Sequence, residues 1–326
     1  GEGSVRAVIL DPDHQSLLEA AGLVRNGKVR QGRKGLWLSK GGLLDHCEGV
    51  DGQKSQYCGQ LALMFPGIEA TFAPRVDDLC AKLGLASPRL YPPMDLGERG
   101  VSVVRLGMAL ERCFRLFGIT PDHICGHSIG EWTGLISAGY FSESSIEPFI
   151  QGLDPKELSV PEIVFIAAGA GHTKVETVLK THLNENLNAI GVYCSHDNCP
   201  HQSIFCLPPQ YASDALKALN QAQILAQELP FRSGFHAPHF KPYATELTQH
   251  MRSLVLREPK YTMWSATTLS PYPPAHNSEA FYDLSGQHLI EPVRFRALIE
   301  RLYEEGVRVF VQMGVGSLSS FVSDTL

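Results

Sequence analysis

The sequence predicts an α/β protein in which a large domain of alternating strands and helices is interrupted by a smaller inserted domain. Short apolar runs alternate with longer segments of helical periodicity over residues 61–159, a pattern typical of α/β folds. Residues 160–231 form a separate block whose predicted elements follow the order β-α-β-β-α-β. The 326 residues suffice for one large domain that carries such an insertion.

The first 60 residues are predicted to be a linker region in front of the large domain. Residues 5–10 favour a strand and residues 15–23 a helix, whereas residues 25–60 are rich in Gly, Lys and Gln and are predicted to be loop. The chain starts with Gly-Glu-Gly-Ser and shows no signal peptide. We expect both ends to continue into a longer, multidomain protein.

Apolar patterns define the large domain, residues 61–159 and 232–326. Residues 61–65 predict a strand, and residues 100–116 carry apolar side chains at helical spacing and predict a long buried helix. Towards the end of the chain, residues 294–305 predict a helix and residues 307–313 a buried strand.

The inserted block, residues 160–231, has its own alternation of elements. We predict strands at residues 163–168, 190–194, 202–207 and 224–229, and helices at residues 174–188 and 210–222. This order is that of the ferredoxin-like fold.

The most informative motif is Gly-His-Ser-Ile-Gly-Glu at residues 126–131. It follows a short apolar run and opens a helical one, which is the context that a Gly-x-Ser-x-Gly nucleophile elbow requires. The glycines remove side chains that would clash in such a strained turn. At the N-terminus of the helix, the amide of Ile129 and the helix dipole can stabilise an oxyanion. We therefore expect Ser128 to be a nucleophile, and a tight turn with a passive serine is the alternative.

A nucleophilic serine requires a base, and the chain has 13 histidines. The strongest candidate is His236 in the segment Ser-Gly-Phe-His-Ala-Pro, since a turn bounded by Gly and Pro can present a side chain to a cleft. A histidine in a surface loop is the alternative interpretation, and the position alone favours it.

Together these motifs resemble the acyltransferase domains of polyketide and fatty-acid synthases, which are relatives of malonyl-CoA:acyl-carrier-protein transacylase. Further matches follow in the family's order: Phe-Pro-Gly at 65–67, Gly-Ile-Thr-Pro-Asp at 118–122, Asn-Cys-Pro at 198–200, Pro-Val-Arg at 292–294 and Gly-Val-Gly at 314–316. The resemblance covers residues 61–326. It implies an α/β-hydrolase-like large subdomain with an inserted ferredoxin-like subdomain.

The resemblance also implies a mechanism. Ser128 attacks an acyl-CoA thioester with His236 as base, and the acyl-serine passes its acyl group to the phosphopantetheine thiol of an acyl carrier protein, in a ping-pong cycle. The backbone amides of Ile68 and Ile129 are implied to form the oxyanion hole. The carbonyl of His288 is implied to orient His236, and the His288 side chain is expected to play no part. No bound cofactor is expected, and the implied partners are acyl-CoA, the carrier protein and the neighbouring ketosynthase of the same synthase.

The residues of the implied substrate pocket give conflicting indications. Ile129 and Phe235 resemble malonyl-selective members of the family, in which a phenylalanine narrows the space beside the α-carbon. Those members also carry an arginine after the serine, which pairs with the malonyl carboxylate. The same spacing falls here on Leu153, and the nearest polar residue is Gln151.

Two other arginines are candidates for the missing partner of the carboxylate. Arg99 lies next to Gly100, a position where the family often has Gln near the serine, and Arg232 lies four residues before His236. Surface charge is the alternative interpretation of both. Asn198 belongs to the pocket through the Asn-x-Pro motif. We expect a malonyl group, with a neutral monocarboxylic acyl group as the alternative.

Two further function classes stay open. A family-related hydrolase that edits stalled acyl chains has lost the arginine in some members, and a non-catalytic docking module is the other possibility. An ordinary α/β-hydrolase is disfavoured, because the ferredoxin-like block occupies the interval in which its acid would lie.

Composition excludes several other classes. The net charge of −6 argues against nucleic-acid binding, and no apolar run approaches the ~20 residues of a membrane helix, so we expect a cytoplasmic protein without membrane contact. Cysteines lie singly in apolar segments, which suits a reducing compartment. No metal site is expected, because one cluster of metal-capable side chains lacks the distant second pair of a zinc site: Cys194, His196, Cys199 and His201.

Overall fold

The computed structural model describes residues 6–9, 12–28, 30–31, 35–39, 59–90, 96–152 and 162–326. The chain divides into two compact units, Gly1–Gln60 and Leu61–Leu326. Both contain helices and strands, which confirms the predicted mixed α/β class.

The first unit contains an antiparallel sheet and a helix. Its elements in chain order are β1 (Arg6–Ile9), α1 (His14–Arg25), β2 (Arg30–Gln31) and β3 (Leu36–Ser39), with the strand order β1-β3-β2. The prediction of a loop from residue 25 onward is wrong for β2 and β3, while residues 40–58 lie outside the described residues. Leu36 and Leu38 are buried and Trp37 between them is 40% exposed. This alternation of buried and exposed side chains is typical of a strand, but the neighbouring Gly and Lys residues made it hard to recognise in the sequence.

The elements of the second part of the chain alternate between the two types. In chain order they are β4 (Gln60–Phe65), α2 (Asp77–Lys82), α3 (Leu96–Leu116), β5 (His123–Gly126), α4 (Ile129–Ala138), α5 (Glu143–Gly152), β6 (Val164–Ala168), α6 (His172–His182), β7 (Tyr193–Cys199), β8 (Gln202–Leu207), α7 (Ala212–Gln221), β9 (Ala226–Arg232), α8 (Lys241–Met251), β10 (Thr262–Trp264), α9 (Ser278–Ile290), α10 (Phe295–Glu304), β11 (Val307–Gln312) and α11 (Leu318–Thr325).

One sheet of the second unit has the strand order β10-β5-β4-β11. In it, β5 runs parallel to both β4 and β10. Side chains of β4 alternate between the two faces. Leu63 and Phe65 pack in a core with residues of α3 and α4, whereas Ala62 and Met64 pack in a core with α10 and α11. Because both faces are covered, the strand is apolar from residue 61 to residue 65, as is typical of parallel sheets.

A second sheet of order β7-β8-β6-β9 pairs all its neighbours antiparallel. Side chains of α6 and α7 share one apolar core with β6 and β8. This small sheet is tied to the rest of the unit, since β7 bridges to Val293 after α9 through Asp197 N–H to Val293 O at 2.9 Å and Val293 N–H to Ser195 O at 2.9 Å.

The predicted boundaries of the small sheet are wrong at β7. The prediction placed this strand at residues 190–194, but the strand extends from Tyr193 to Cys199 and residues 187–190 form a 3₁₀ helix. The polar side chains from Ser195 to Asn198 do not follow the apolar pattern expected of a strand. The pairing of β7 with β8 contains two register shifts, which change the direction in which the side chains of β7 point.

Candidate active site

The turn between β5 and α4 holds Ser128 in a strained backbone conformation. Ser128 has φ 56° and ψ −125°, a combination that residues with a side chain rarely adopt. A Cβ on Gly126 would lie 2.2 Å from the backbone nitrogen of Glu131, and one on Gly130 would lie 1.9 Å from the carbonyl oxygen of Phe65. Only glycine fits at these positions, so the motif forms a sharp strand-to-helix turn with Ser128 directly before α4.

His236 lies beside Ser128, in the loop after β9. Its Nε2 is 2.7 Å from Ser128 Oγ, and its Nδ1 is 2.7 Å from the carbonyl oxygen of His288. Since a carbonyl oxygen only accepts hydrogen bonds, Nδ1 carries the proton and Nε2 is left to accept from the serine hydroxyl. The backbone of His236 is held as well, with φ 61° and its N–H donating to the carbonyl of Leu289 at 2.8 Å.

His288 contacts both members of this pair. Its carbonyl holds His236, and its own Nε2 donates to the carbonyl oxygen of Ser128 at 3.1 Å. Its Nδ1 lies 3.0 Å from the Thr267 hydroxyl and 3.1 Å from Oε2 of Glu131. The side chain of His288 was expected to play no part; in the structure its buried ring braces the backbone of the turn that holds Ser128.

Glu131, the last residue of the elbow motif, is fully buried and well paired. Its Oε1 accepts from the backbone N–H of Ala266 at 2.5 Å, and its Oε2 accepts from the Tyr272 hydroxyl at 2.6 Å. A buried carboxylate without such partners would be strongly unfavourable. Glu131 thus ties α4 to the segment after β10 and gives His288 a polar neighbour.

Burial keeps three histidines of the site neutral. It lowers the pKa of His236 well below the ordinary 6.5, with a further contribution from the neighbouring His288 imidazole. Burial also lowers the pKa of His127 to about 4 and that of His196 well below the ordinary value. The rings form a cluster, in which His196 stacks on His127 at 5.1 Å and meets His236 edge-on at 5.0 Å. A neutral His236 is the form that can accept the serine proton.

Ile68 and Ile129, whose amides are predicted to stabilise an oxyanion, line the same cavity as Ser128. Ile129 is the first residue of α4, so its N–H has no acceptor within the helix. Ile68 follows the turn at Gly67, where a Cβ would lie 2.9 Å from the carbonyl oxygen of His127. This close packing brings the chain before Ile68 directly onto the nucleophile turn, and Ile68 and Ser128 line the same cavity.

Ser128 and His236 face a cavity of about 720 Å³, a size that buries a small organic ligand. One side of the cavity is formed by α3, α4 and α5. The opposite side is formed by strands of the small sheet, through Phe165, Ala167, Ile204, Gln227, Leu229 and Phe231.

Three of the predicted pocket residues line this cavity. Phe235 stacks on Phe240 with ring centroids 4.0 Å apart. Gly100 leaves room for Ile129, since a Cβ there would lie 2.7 Å from Ile129 Cδ1. Asn198 is buried and accepts a hydrogen bond from His127 Nε2 at 2.8 Å, while its amide donates to the Gln202 side chain at 2.7 Å.

The two arginines considered as partners for a carboxylate are held elsewhere. Arg99 Nη1 donates to the carbonyl oxygens of Glu69 and Ala70 at 2.9 and 3.0 Å. Arg232 pairs with two glutamates of the small sheet and its preceding segment, at 3.1 and 3.4 Å. Neither arginine lines the cavity, so the structure does not support a replacement of the missing arginine by Arg99 or Arg232. Leu153 and the side chain of Gln151 lie outside the described part of the chain.

Sequence reasoning missed the apolar side chains that form much of the cavity wall. Trp132, Ile136, Ile146 and Phe149 all line it. Part of the signal was present, because Trp132 and Ile136 repeat at helical spacing from Ile129. The cavity-lining side chains of α5 could not be predicted from helical spacing, since their position depends on how that helix packs against α4.

Two other features of the described residues bear on the sequence predictions. Within these residues, no group of three or more His, Cys, Asp or Glu side chains is arranged to hold a metal ion. None of the helices in the described ranges is both long and apolar enough to cross a membrane.

The fold and this site define a mixed α/β protein in which a serine and a neutral histidine face a ligand-sized cavity. The chain belongs to the acyl transferase domain family, which it matches over residues 99–320.

Relatives and solved structures agree with this assignment. The chain is 23% identical over 332 residues to a mycocerosic acid synthase-like polyketide synthase of Mycobacterium tuberculosis, covering 96% of this chain and 15% of that protein. It is 25% identical over 238 residues to the malonyl CoA-acyl carrier protein transacylase of Bacillus subtilis, covering 67% of this chain and 69% of that protein. The chain thus spans only a small part of the polyketide synthase that it matches.

The fold matches those of solved acyltransferases. The acyltransferase domain from the second module of the salinomycin polyketide synthase aligns with a TM-score of 0.70 at 21% identity, covering 99% of this chain and 75% of that one. A malonyl-transacylase solved with its type II polyketide synthase acyl-carrier protein also aligns with a TM-score of 0.70, at 18% identity, covering 82% of this chain and 93% of that one.

Proposed function

We propose that this protein takes an acyl group from coenzyme A, holds it as an ester on Ser128, and passes it to the phosphopantetheine thiol of an acyl carrier protein. The observation that carries the proposal is the 2.7 Å contact between Ser128 Oγ and His236 Nε2 at the wall of a ligand-sized cavity. This is the geometry of an activated serine nucleophile and its base.

In the first half-reaction, Ser128 Oγ attacks the thioester carbonyl carbon and its proton moves to His236 Nε2. Negative charge develops on the carbonyl oxygen, where the amides of Ile68 and Ile129 stabilise it. Collapse of this intermediate breaks the C–S bond, and the departing thiolate of coenzyme A takes the proton from His236.

In the second half-reaction, the carrier-protein thiol gives its proton to His236 and attacks the acyl-serine carbon. The ester C–O bond breaks, and Ser128 recovers its proton from His236. The acyl group leaves as a thioester of the carrier, so the enzyme returns to its starting state and the cycle is ping-pong.

A backbone carbonyl takes the place of an acidic residue in this mechanism. The His288 carbonyl accepts from His236 Nδ1, which selects the tautomer that the base requires. Its dipole also stabilises the imidazolium that forms during attack. Support for this role comes from the burial of both histidines, which excludes water from the contact.

The two sheets correspond, in this proposal, to an α/β-hydrolase-like subdomain and a ferredoxin-like subdomain. The antiparallel order β7-β8-β6-β9 with two helices supports the second assignment. The carrier protein as partner is supported by the solved complex of a malonyl-transacylase with its acyl-carrier protein. A ketosynthase as neighbour in the same synthase rests on the family resemblance.

A radiolabelled acyl group tests the proposed transfer, because the label can be measured in each of three products. Labelled acyl-CoA is incubated with the protein, with and without a holo acyl carrier protein, and the label is measured in acyl-enzyme, acyl-carrier and free acid. We expect labelled enzyme without the carrier and labelled carrier when it is added. Ser128→Ala should lose both, and Ser270→Ala, a change at an exposed serine, should keep both. Label released mainly as free acid in the presence of the carrier would identify a hydrolase instead.

A further inference from the structure

The part of the cavity that extends from Ser128 along α4 determines which class of acyl group the protein can transfer. We infer that this protein transfers a neutral, apolar acyl group of a monocarboxylic acid, such as a medium-length alkyl chain or an aryl group, and not malonyl. The inference rests on the acyl transfer proposed above and adds the class of substrate.

The first observation is an apolar stripe that begins at the nucleophile. Ile129, Trp132 and Ile136 lie one, four and eight residues after Ser128, so they share one face of α4. From Ile129 to Ile136 this face extends about 10 Å, at the rise of an α-helix. An acyl group on Ser128 that extends along this face meets hydrocarbon for its whole length.

The second observation is that the neighbouring helices complete this wall with more apolar side chains. Phe149 of α5 stacks on Trp132, with ring centroids 5.6 Å apart and an interplanar angle of 17°. Further side chains that line the cavity come from α3, α5 and α8: Val101, Val104, Ile146 and Leu247. We call the space between these helices the acyl chamber. Its aromatic pair is suited to contacts with an alkyl chain or a ring.

The third observation concerns charge. Among the described residues that line the cavity there is no Lys or Arg. The guanidinium of Arg99 is bonded to the carbonyl oxygens of Glu69 and Ala70, and that of Arg232 to two glutamates. The carboxyl group that does line the cavity is Glu69, whose Oε1 accepts from the Ser317 N–H at 3.2 Å. Among the described residues a malonyl carboxylate in this cavity finds no cationic partner, and burying a carboxylate without one is strongly unfavourable.

His127 and His196, two of the histidines that line the cavity, do not supply a positive charge. Burial lowers the pKa of His127 to about 4 and that of His196 well below the ordinary value, so both rings are neutral at neutral pH. The polar atoms near them are also engaged, since Asn198 bonds both His127 and Gln202. A neutral acyl group can bind while His127 and His196 stay neutral and Asn198 keeps its hydrogen bonds.

The chemistry of transfer is the same for a neutral acyl group. The C–S bond of the thioester breaks, the Ser128 Oγ–C bond forms, and the proton passes through His236 to the thiolate of coenzyme A. No carboxylate of the substrate takes part in these steps. Selection therefore acts through burial of the acyl group alone, and each methylene that enters the acyl chamber favours binding.

The experiment measures initial rates of Ser128 acylation by intact-mass spectrometry with acetyl-, hexanoyl-, benzoyl- and malonyl-CoA at equal concentration. We expect hexanoyl- or benzoyl-CoA to acylate at least ~10-fold faster than malonyl-CoA. Malonyl-CoA as the fastest donor would overturn the inference and leave the acyl transfer standing. No acyl adduct from any donor would overturn both.

Variants of Phe149 test the acyl chamber itself. In Phe149→Ala, the acyl-CoA that reacts fastest should have a longer acyl chain than the one that the parent protein prefers. Rates with octanoyl- and decanoyl-CoA measure this change. Phe149→Arg should raise the ratio of malonyl to hexanoyl rates at least ~10-fold, as expected for a charge-assisted hydrogen bond to the carboxylate. Phe117→Ala removes a phenylalanine that is 63% exposed and should reproduce the parent profile. An unchanged chain-length profile in Phe149→Ala, in protein with a parent-like circular dichroism spectrum, would contradict the assignment of the chamber.

Discussion

The Nε2 of His288 lies 3.1 Å from the carbonyl oxygen of Ser128. The same residue holds His236 through its own carbonyl, at 2.7 Å from Nδ1. One residue of α9 therefore contacts both the turn that holds Ser128 and the ring of His236, although it lies 160 residues after Ser128 in the chain. A change in the His288 side chain should act on catalysis through Ser128, while its backbone contact with His236 is kept.

His288→Ala should lower kcat for acyl transfer about 10- to 100-fold and leave KM for acyl-CoA nearly unchanged. The change leaves the buried carbonyl of Ser128 without its hydrogen-bond donor, a loss worth about 1–3 kcal/mol. Steady-state kinetics over a range of acyl-CoA concentrations separates kcat from KM. His276→Ala, at an exposed histidine, serves as the control, and parent-like kcat in His288→Ala would contradict a positioning role.

His236→Ala should slow both half-reactions by about 10²- to 10⁴-fold, the usual contribution of a positioned base. Rapid-quench measurements of acyl-enzyme formation and of its discharge to a carrier thiol report the two steps separately. His239→Ala is the matched control three residues away. The His239 ring bonds the Gly191 carbonyl at 2.7 Å and does not contact Ser128, so its loss should cost less. If His239→Ala were the more damaging change, the assignment of the base would be wrong.

Gly130→Ala should prevent stable folding, because the added Cβ would lie 1.9 Å from the carbonyl oxygen of Phe65. Neither group is the flexible end of a side chain, so backbone must move at the centre of the site. We expect a loss of more than about 3 kcal/mol in the free energy of unfolding, measured by urea denaturation. Gly22→Ala is the contrasting variant, since a Cβ in the middle of α1 meets nothing within 4 Å. It should be neutral or stabilise by up to about 1 kcal/mol.

The buried histidines should make the protein less stable in mild acid. The pKa values of His127, His196 and His236 are lowered in the folded state from 6.5, so below pH 6.5 the unfolded chain binds protons that the folded chain does not. Each such group lowers the free energy of unfolding by about 1.4 kcal/mol per pH unit below that value, until its folded pKa is reached. Their contribution is therefore complete above pH 6.5 and declines as the pH falls; for His127 the decline ends at about 4.

Urea unfolding at pH 7.5, 6.0 and 5.0 checks this dependence. His196→Gln should reduce the slope of stability against pH by about one such increment, because one buried imidazole has been removed. His182→Ala, at an exposed histidine, should leave the slope as in the parent. Equal slopes for the parent and His196→Gln would show that the His196 ring is protonated in the folded state.

The nucleophile turn was predictable because its chemistry is local. The glycines flanking Ser128 are required by atoms only a few residues or one strand away, so a short motif encodes the turn completely. The strand β4 was predictable from its sequence, since both of its faces are buried and residues 61–65 are all apolar.

The rest of the site depends on contacts between distant segments. The role of the His288 ring arises only when α9 packs against the nucleophile turn, across 160 residues of sequence. The strand β7 was misplaced because its polar residues His196 and Asn198 are buried against His127, which follows β5, and against β8, and the sequence pattern does not reveal these contacts. The apolar wall from Trp132 to Phe149 likewise needs the packing of α4 on α5.

Peptide mapping of the acyl-enzyme identifies the residue that carries the acyl group. The protein is mixed with hexanoyl-CoA, quenched in acid within seconds, digested, and the peptides are sequenced by tandem mass spectrometry. We expect one hexanoyl group per chain, on Ser128, that disappears when a carrier thiol is added before the quench. A hexanoyl group on another residue, or an adduct of equal yield in Ser128→Ala, would contradict it.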